Sequence, residues 1–366
     1  MGVVLLLTIL GSTLLLRTLH ENQLSTRSSA QQGAMSLAEA SIDRTLCQLR
    51  VGQFTDLATT SLGGGNYSAE VAPAGPPLRY RVTGHGLSVA EKRNLEALVQ
   101  LTKQSVFQGA LFGNTSLTVS GTVVTNSYDS RVAPYNAATA GSNGDVGTNS
   151  GLAGAVNITG SIAINGQVMV GAGTSDPNAV VTIAGGTAII TGSPPVAPLQ
   201  NNIIMSPVSP PAGMPCPDLT ITNAGQDPNL APGVYCYHNV SVSGGGSLTT
   251  NDAGSVTVFV TGAFSASGHT VVGVEANPTQ FLMVLTATAG ELILEGDFTG
   301  TTEFYGGIYA PTGEIKIAGS AAVFGSVVAD TINLTGNAQV HYDKAMGALE
   351  DPTGGYQTAL LSWQEL

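Results

Sequence analysis

Charge is scarce in this 366-residue chain: Asp, Glu, Lys and Arg make up 10% of it, against about a quarter in ordinary soluble domains. Aromatic residues make up 5%, with a single tryptophan. Beyond residue 103 only Arg131, Lys316 and Lys344 face seventeen acids, a balance of −14; residues 1–103 hold the other nine cations against seven acids, +2. So few cations cannot neutralise a run of phosphates, which excludes nucleic acid as a partner. The same poverty argues against a cytosolic helical enzyme, while 43% apolar residues exclude disorder. The charge step near residue 104 marks a domain boundary. No proline precedes Pro73, so nothing breaks a helix early in the chain. Cysteines number three. Cys47 reads as a small apolar residue of a helix. Cys216 and Cys236 flank a Pro-rich loop without zinc-site spacing or neighbouring histidines; outside the cell they form a disulfide, and otherwise they are two buried thiols.

What the chain does have begins with VVLLLTILGSTLLL, Val3 to Leu16, whose apolar residues include Val3, Leu5, Leu7, Ile9, Leu14 and Leu16. As a helix it spans about 21 Å, short of a hydrocarbon core of roughly 30 Å. No basic residue precedes it and no cleavage-type segment follows, so it does not read as an ordinary signal peptide. Ala34, Leu37, Ala38, Ile42, Leu46 and Leu49 continue at helical spacing, which predicts one rod of roughly 45 to 50 residues. Extended runs follow at 66–72, 78–86 and 87–102. The last also suits a helix, but its pairing with VTGHG favours a hairpin, and the three together a small antiparallel sheet.

From about residue 106 a short strand ending in Gly recurs: LTVSG (117–121), VNITG (156–160), VTIAG (181–185), VSVSG (240–244), LILEG (292–296), IKIAG (315–319) and INLTG (332–336). Gly300, Gly319 and Gly336 open a longer repeat at spacings of 19 and 17. A period near 20 with alternating apolar residues predicts a right-handed parallel β-helix, apolar ladders inside and Gly at the corners. At about 4.8 Å per coil, ten to twelve coils would make a rod on the order of 50 Å. The Pro-rich stretch 193–219 interrupts the pattern as a surface loop or lateral arm. The tail is expected to seal the last coil, with Tyr356 and Trp363 as capping contacts.

The N-terminal segment GVVLLLTILGSTLLL, then Glu21, then LAEASIDRTL at 37–46, resembles the helix of type IV pilins, and more closely that of PilX-like minor pilins. The resemblance covers about the first 50 residues. It implies a subunit held in the bacterial inner membrane before assembly and in an extracellular filament afterwards, partnered by other pilin subunits, with Glu21 setting register against a neighbour's N-terminus. Glu21 also reads simply as an exposed helix acid. Leu5 stands where major pilins carry glutamate, and no basic leader precedes the run; a shortened start and a processed one both fit, and prepilin-peptidase processing is implied by the family alone. APGVYCYHNVSVSGGGSL (231–248) and the block 303–345 resemble the β-helical domain that follows PilX-like helices, to which no activity is attached.

Catalysis finds little footing. Glycoside hydrolysis needs two carboxylates about 5 to 9.5 Å apart; Glu295 and Asp297, separated by Gly296, are the candidates, and they read as solvated turn acids. With three distal cations a lyase lacks the charge to stabilise an enolate. His20, His85, His238, His269 and His341 show no HExxH spacing, and His341 shares the repeat position of Tyr305 and Phe324, which makes it a ladder residue. Neither a phosphate loop nor a calcium repeat is found in the Gly-rich and Asp-containing turns.

The expectation is therefore an α+β, mainly β chain: membrane and filament helix (1–60), small antiparallel pilin-like sheet (61–104), right-handed parallel β-helix (105–345) and cap (346–366). No catalytic residue, cofactor or metal is expected. The β-helix would serve as a surface spacer or adhesin, contacting surface glycans or host and abiotic surfaces. The rivals are a polysaccharide-binding or -cleaving β-helix and a bactofilin-like polymer.

Overall fold

In the computed structural model the described residues are 2–75, 77–89, 91–103, 105–251, 253–286, 292–295, 302–349 and 355–366; the side chains of 2–13 and 292–295 fall outside the description. The chain divides into two compact units, one of residues 1–104 with 354–366 and one of residues 105–353.

In the first unit a single helix, α1 (Gly2–Arg50), runs without a break. It stops where Gly52 takes a positive φ of 75°, with Gly52 N–H donating to the Leu49 carbonyl (3.1 Å) and Gln53 N–H to that of Gln48 (3.0 Å). That pair of bonds satisfies the last free carbonyls of a helix, and it needs a residue tolerant of the left-handed conformation. The rod, 49 residues long, has the expected length; only the boundary drawn at 60 shifts, since the first strand, Leu57–Leu62, begins before it. This strand pairs antiparallel with Gly65–Pro73, which pairs with Arg79–Ser88, which pairs with Glu91–Lys103. The segment that also suited a helix is therefore a strand, because Leu95, Ala97, Val99 and Leu101 alternate into the core.

The sheet has a fifth strand, Tyr356–Glu365, on the far side of Glu91–Lys103. This corrects the expected cap: Tyr356 packs edge-on to Phe54 (5.5 Å), and Trp363 lies opposite Ala97. The helix covers the sheet with the residues of the helical period. Ala34, Leu37, Ala38, Ile42 and Leu49 are buried against Tyr67, Ala69, Val82 and Leu95, with Leu46 partly buried beside them.

The second unit is a parallel sheet of twenty strands among the described residues. Strands three apart in chain order pair side by side over much of it, so the pairings fall into three columns. One column runs Leu219–Ile221, Val240–Val242, Phe264–Ala266, Leu292–Glu295, then 315–318, 331–334 and 116–119, then Val156–Ile164 and Val181–Ala184. The rungs therefore do not stack in chain order. Residues 327–334 pair with 111–119, and Gln339–Asp343 with 124–128. The chain enters in the middle of the stack, climbs to one end at 181–198, and resumes at the opposite end at 219.

Two expectations change on this account. The last rung is not an open edge in need of a cap, because residues 124–128 already pair with it. Nor is the stretch after Pro198 a lateral arm. It returns past the stack, with Leu199 N–H on the Val170 carbonyl (2.8 Å), Ile203 N–H on Asn149 Oδ1 (2.8 Å) and the Ser206 carbonyl accepting from Tyr309 Oη (2.8 Å). The column traced above holds nine strands, in keeping with ten to twelve coils less loops, since this return and the loop 129–145 take residues out of the ladder.

Inward residues of each rung stack on like residues. Val119, Ile158 and Leu334 are buried in one column, Val256, Val258 and Phe281 in another. Gly121 and Gly160 sit at one corner with φ near +100° (99° and 113°), each so close to the rung beside it that a Cβ would meet a backbone oxygen.

Candidate functional site

The helix offers one site. Its second half is covered by the sheet, while Leu14, Leu15, Leu16, Leu19 and Leu24 stand more than half exposed. An apolar row this exposed is a candidate contact surface. Glu21 lies among these residues and pairs with Arg17 one turn earlier (3.0 Å), both side chains exposed. Among the described residues no helix is long and apolar enough to cross a membrane. The side chains of Val3, Leu5, Leu7 and Ile9, which carry most of the expected membrane run, lie outside the described residues.

The structure joins Cys216 to Cys236 in a disulfide, with Cα atoms 4.7 Å apart. Cys236 lies on the strand Gly233–Tyr237, in the terminal rung at 219–237, and Cys216 near the end of the returning stretch. The bond thus fastens that stretch to the rung it leads into. Cys47 is a free, exposed thiol on α1.

The column that runs through 303–305, 322–325, 339–343 and 124–128 carries an aromatic ladder on its outward side. Tyr305, Phe324, His341 and Asn126 occupy successive rungs in register. Tyr305 stacks on Phe324 (4.6 Å, 9°) and Phe324 leans on His341 (4.8 Å, 36°). Tyr135, from the loop 129–145, closes over His341 at 3.9 Å. His341 Nδ1 is 2.8 Å from Asn126 Oδ1, so the neutral ring donates from Nδ1, and Asn126 Nδ2 in turn donates to Tyr135 Oη (3.1 Å). Burial pushes the His341 imidazole down to about 4. Next to the ladder, Asp343 is wholly buried. Its Oδ1 accepts from the N–H groups of Ser130 and Ala345 (3.0 Å each). Tyr342, whose hydroxyl donates to the Phe107 carbonyl (2.9 Å), is pushed up to about 12, first by burial and then by the Asp343 carboxylate.

Glu295 and Asp297 lie outside the described side chains. His85 is engaged by Asn94 (2.9 Å) and His238 by Thr261 (3.1 Å). Among the described residues no group of three or more His, Cys, Asp or Glu could hold a metal ion. The ladder register of His341 was legible as a repeat position. The loop that covers it was not, since 129–145 belongs to no repeat.

The class the geometry defines is thus a chain of one long helix on an antiparallel sheet, with a large parallel sheet inserted in sequence between that sheet's fourth and fifth strands, which pair with each other. Residues 233–349 match a family described as "Domain of unknown function (DUF7305)". No curated protein matches the chain. Among solved structures it is similar to the competence-associated pilin ComZ from Thermus thermophilus, at 12% identity and a TM-score of 0.32, over 92% of this chain and 97% of that one. Agreement that loose carries no argument about either unit.

Proposed function

We propose that this chain is a non-catalytic subunit of a type IV filament, of the minor pilin or pseudopilin kind, whose parallel sheet is a right-handed β-helix displayed as a surface spacer or adhesin. The observation that carries the reading is the unbroken α1, clothed by its sheet from Ala30 onward and bare over Leu14 to Leu24. A helix left apolar beyond its own unit suits lipid before assembly and neighbouring subunits afterwards. Glu21 then offers a charge for register with a neighbour's N-terminus. The β-helix reading is supported by parallel strands paired three apart and by glycines of positive φ at the corners. A disulfide in the distal unit suits an oxidising, extracellular location.

The test is shearing and fractionation of cells that express the chain. Recovery in sheared surface filaments is expected, together with loss of the Leu16→Glu, Leu24→Glu variant from filaments while its antiparallel unit stays folded. Recovery of the natural chain in a cytosolic polymer overturns the proposal.

A further inference from the structure

A groove of about 190 Å³ opens on the third column of the parallel unit. Its floor and walls are Leu111, Phe112, Val146, Met169, Leu199 and Ile203, the last two supplied by the returning stretch. Asp145 is the one acidic residue of its lining, which also includes Gln108 and Gln167. Asp145 is held from behind: Oδ1 accepts from Gln167 N–H (2.7 Å), and the Asp145 carbonyl accepts from Ala110 N–H (2.7 Å). Among the described residues no ion pair engages this carboxylate, and partial burial holds its acidity below that of an ordinary aspartate, the Gln167 bond acting the other way. A fixed, half-buried carboxylate at the head of an apolar trough is half of a charge-assisted contact.

We propose that this groove binds a primary alkylammonium group, with the methylenes against Phe112, Met169 and Ile203 and the ammonium on Asp145. The size fits: at roughly 30 Å³ per water the trough holds about six waters, which an unbranched chain of lysine length would displace. The chemistry fits as well, because an ammonium is a compact cation with three donors, and Asp145 supplies a carboxylate among otherwise uncharged lining residues. A guanidinium fork takes both oxygens of one carboxylate, and Asp145 Oδ1 is already engaged by Gln167 N–H, so a single-point ammonium suits the other oxygen better; a neutral chain would leave the carboxylate without its partner. The inference is independent of the filament reading, since it concerns the parallel unit alone.

The ammonium can come from a free amine or from a lysine side chain, and the experiment separates them. The full chain is titrated with n-pentylammonium chloride, with Nα-acetyl-lysine methylamide and with n-pentanol, followed by calorimetry and by ligand-observed NMR. Pentylammonium is expected to bind at least about tenfold more tightly than pentanol, and Asp145→Asn to remove that advantage. Binding of the lysine derivative as well supports a side chain presented by a protein, and binding of pentylammonium alone supports a free amine. Equal binding of pentanol and pentylammonium overturns the proposal, as does unchanged pentylammonium binding by Asp145→Asn. The pentanol comparison needs no variant, so it stands even if Asp145→Asn does not fold.

Discussion

His341 shows how a single ladder position sets a pH response. Its neighbours Asn126, Tyr135 and Phe324 are uncharged, so nothing there repays the loss of water around an imidazolium, and the folded ring titrates near 4 instead of 6.5. The folded pKa lies below the unfolded one. Between the two values the unfolded chain binds the extra proton, so stability falls as pH drops from about 6.5 to about 4 and changes no further from this source on either side. The whole shift is worth up to roughly 3 kcal/mol. Denaturant titrations of the parallel unit between pH 4 and 7.5 should record that slope, and His341→Phe, which keeps an aromatic ring in the ladder, should flatten it. An unchanged slope in the variant would place the proton elsewhere.

At the scale of elements, two contacts decide how pieces are held. Helix α1 approaches the strand Arg79–Ser88 where that strand carries Gly84 and Gly86. A Cβ on Gly86 would run into the Ala34 carbonyl oxygen and come within 2.6 Å of Ala38 N, and one on Gly84 within 2.7 Å of the Ala38 carbonyl oxygen. The small residues of the helix and the glycines of the strand are thus one fitted surface. Gly86→Ala should lower the stability of the antiparallel unit by about 2 kcal/mol, read as a fall in its denaturation midpoint, because backbone atoms cannot yield as side chains do. The second contact is the Cys216–Cys236 bond, which closes a loop of sequence separation 20. By the chain-entropy relation such a loop contributes about 3 kcal/mol. Cys216→Ser should cost the parallel unit that amount, and reduction of the natural protein should reproduce it. A loss confined to reduction, absent from the variant, would point to another thiol.

For the molecule as a whole, the legible part of the sequence was whatever repeats locally. The rod was readable because Ala34 to Leu49 keep one period. The parallel rungs were readable because LTVSG, VNITG and their kin alternate and end in glycine. Stack order was not readable, since near-identical pentapeptides do not say which copy lies beside which: Val124 pairs with Gln339 across 215 residues. The fifth antiparallel strand was hidden for the same reason, its partner lying at Glu91–Lys103. The Pro-rich stretch 193–219 read as unfit for a ladder, yet Val196–Pro198 pairs in parallel with Val168–Val170, and the path of the rest gave no sign in the sequence. The groove at Asp145 went unseen because its walls come from three separate rungs and from that path. The observed order has a consequence that can be built. Ser105 Oγ donates to the Met346 carbonyl (2.9 Å), so the two ends of the parallel unit lie side by side, and Ala212 and Gly213 are exposed. A permuted unit that starts at Gly213, runs to Leu349, passes through a short Gly-Ser linker to Ser105 and ends at Ala212 would place every rung next to its chain neighbour. It should fold to the same far-UV spectrum as residues 105–349, and it should fold at least about tenfold faster, because the pairing of 339–343 with 124–128 becomes local. Residues 233–349 alone, which cover the family match, would present the 322–343 rungs as bare edges and should self-associate. A permuted unit that aggregates while 105–349 stays monomeric would mean that the rungs do not stack in this order.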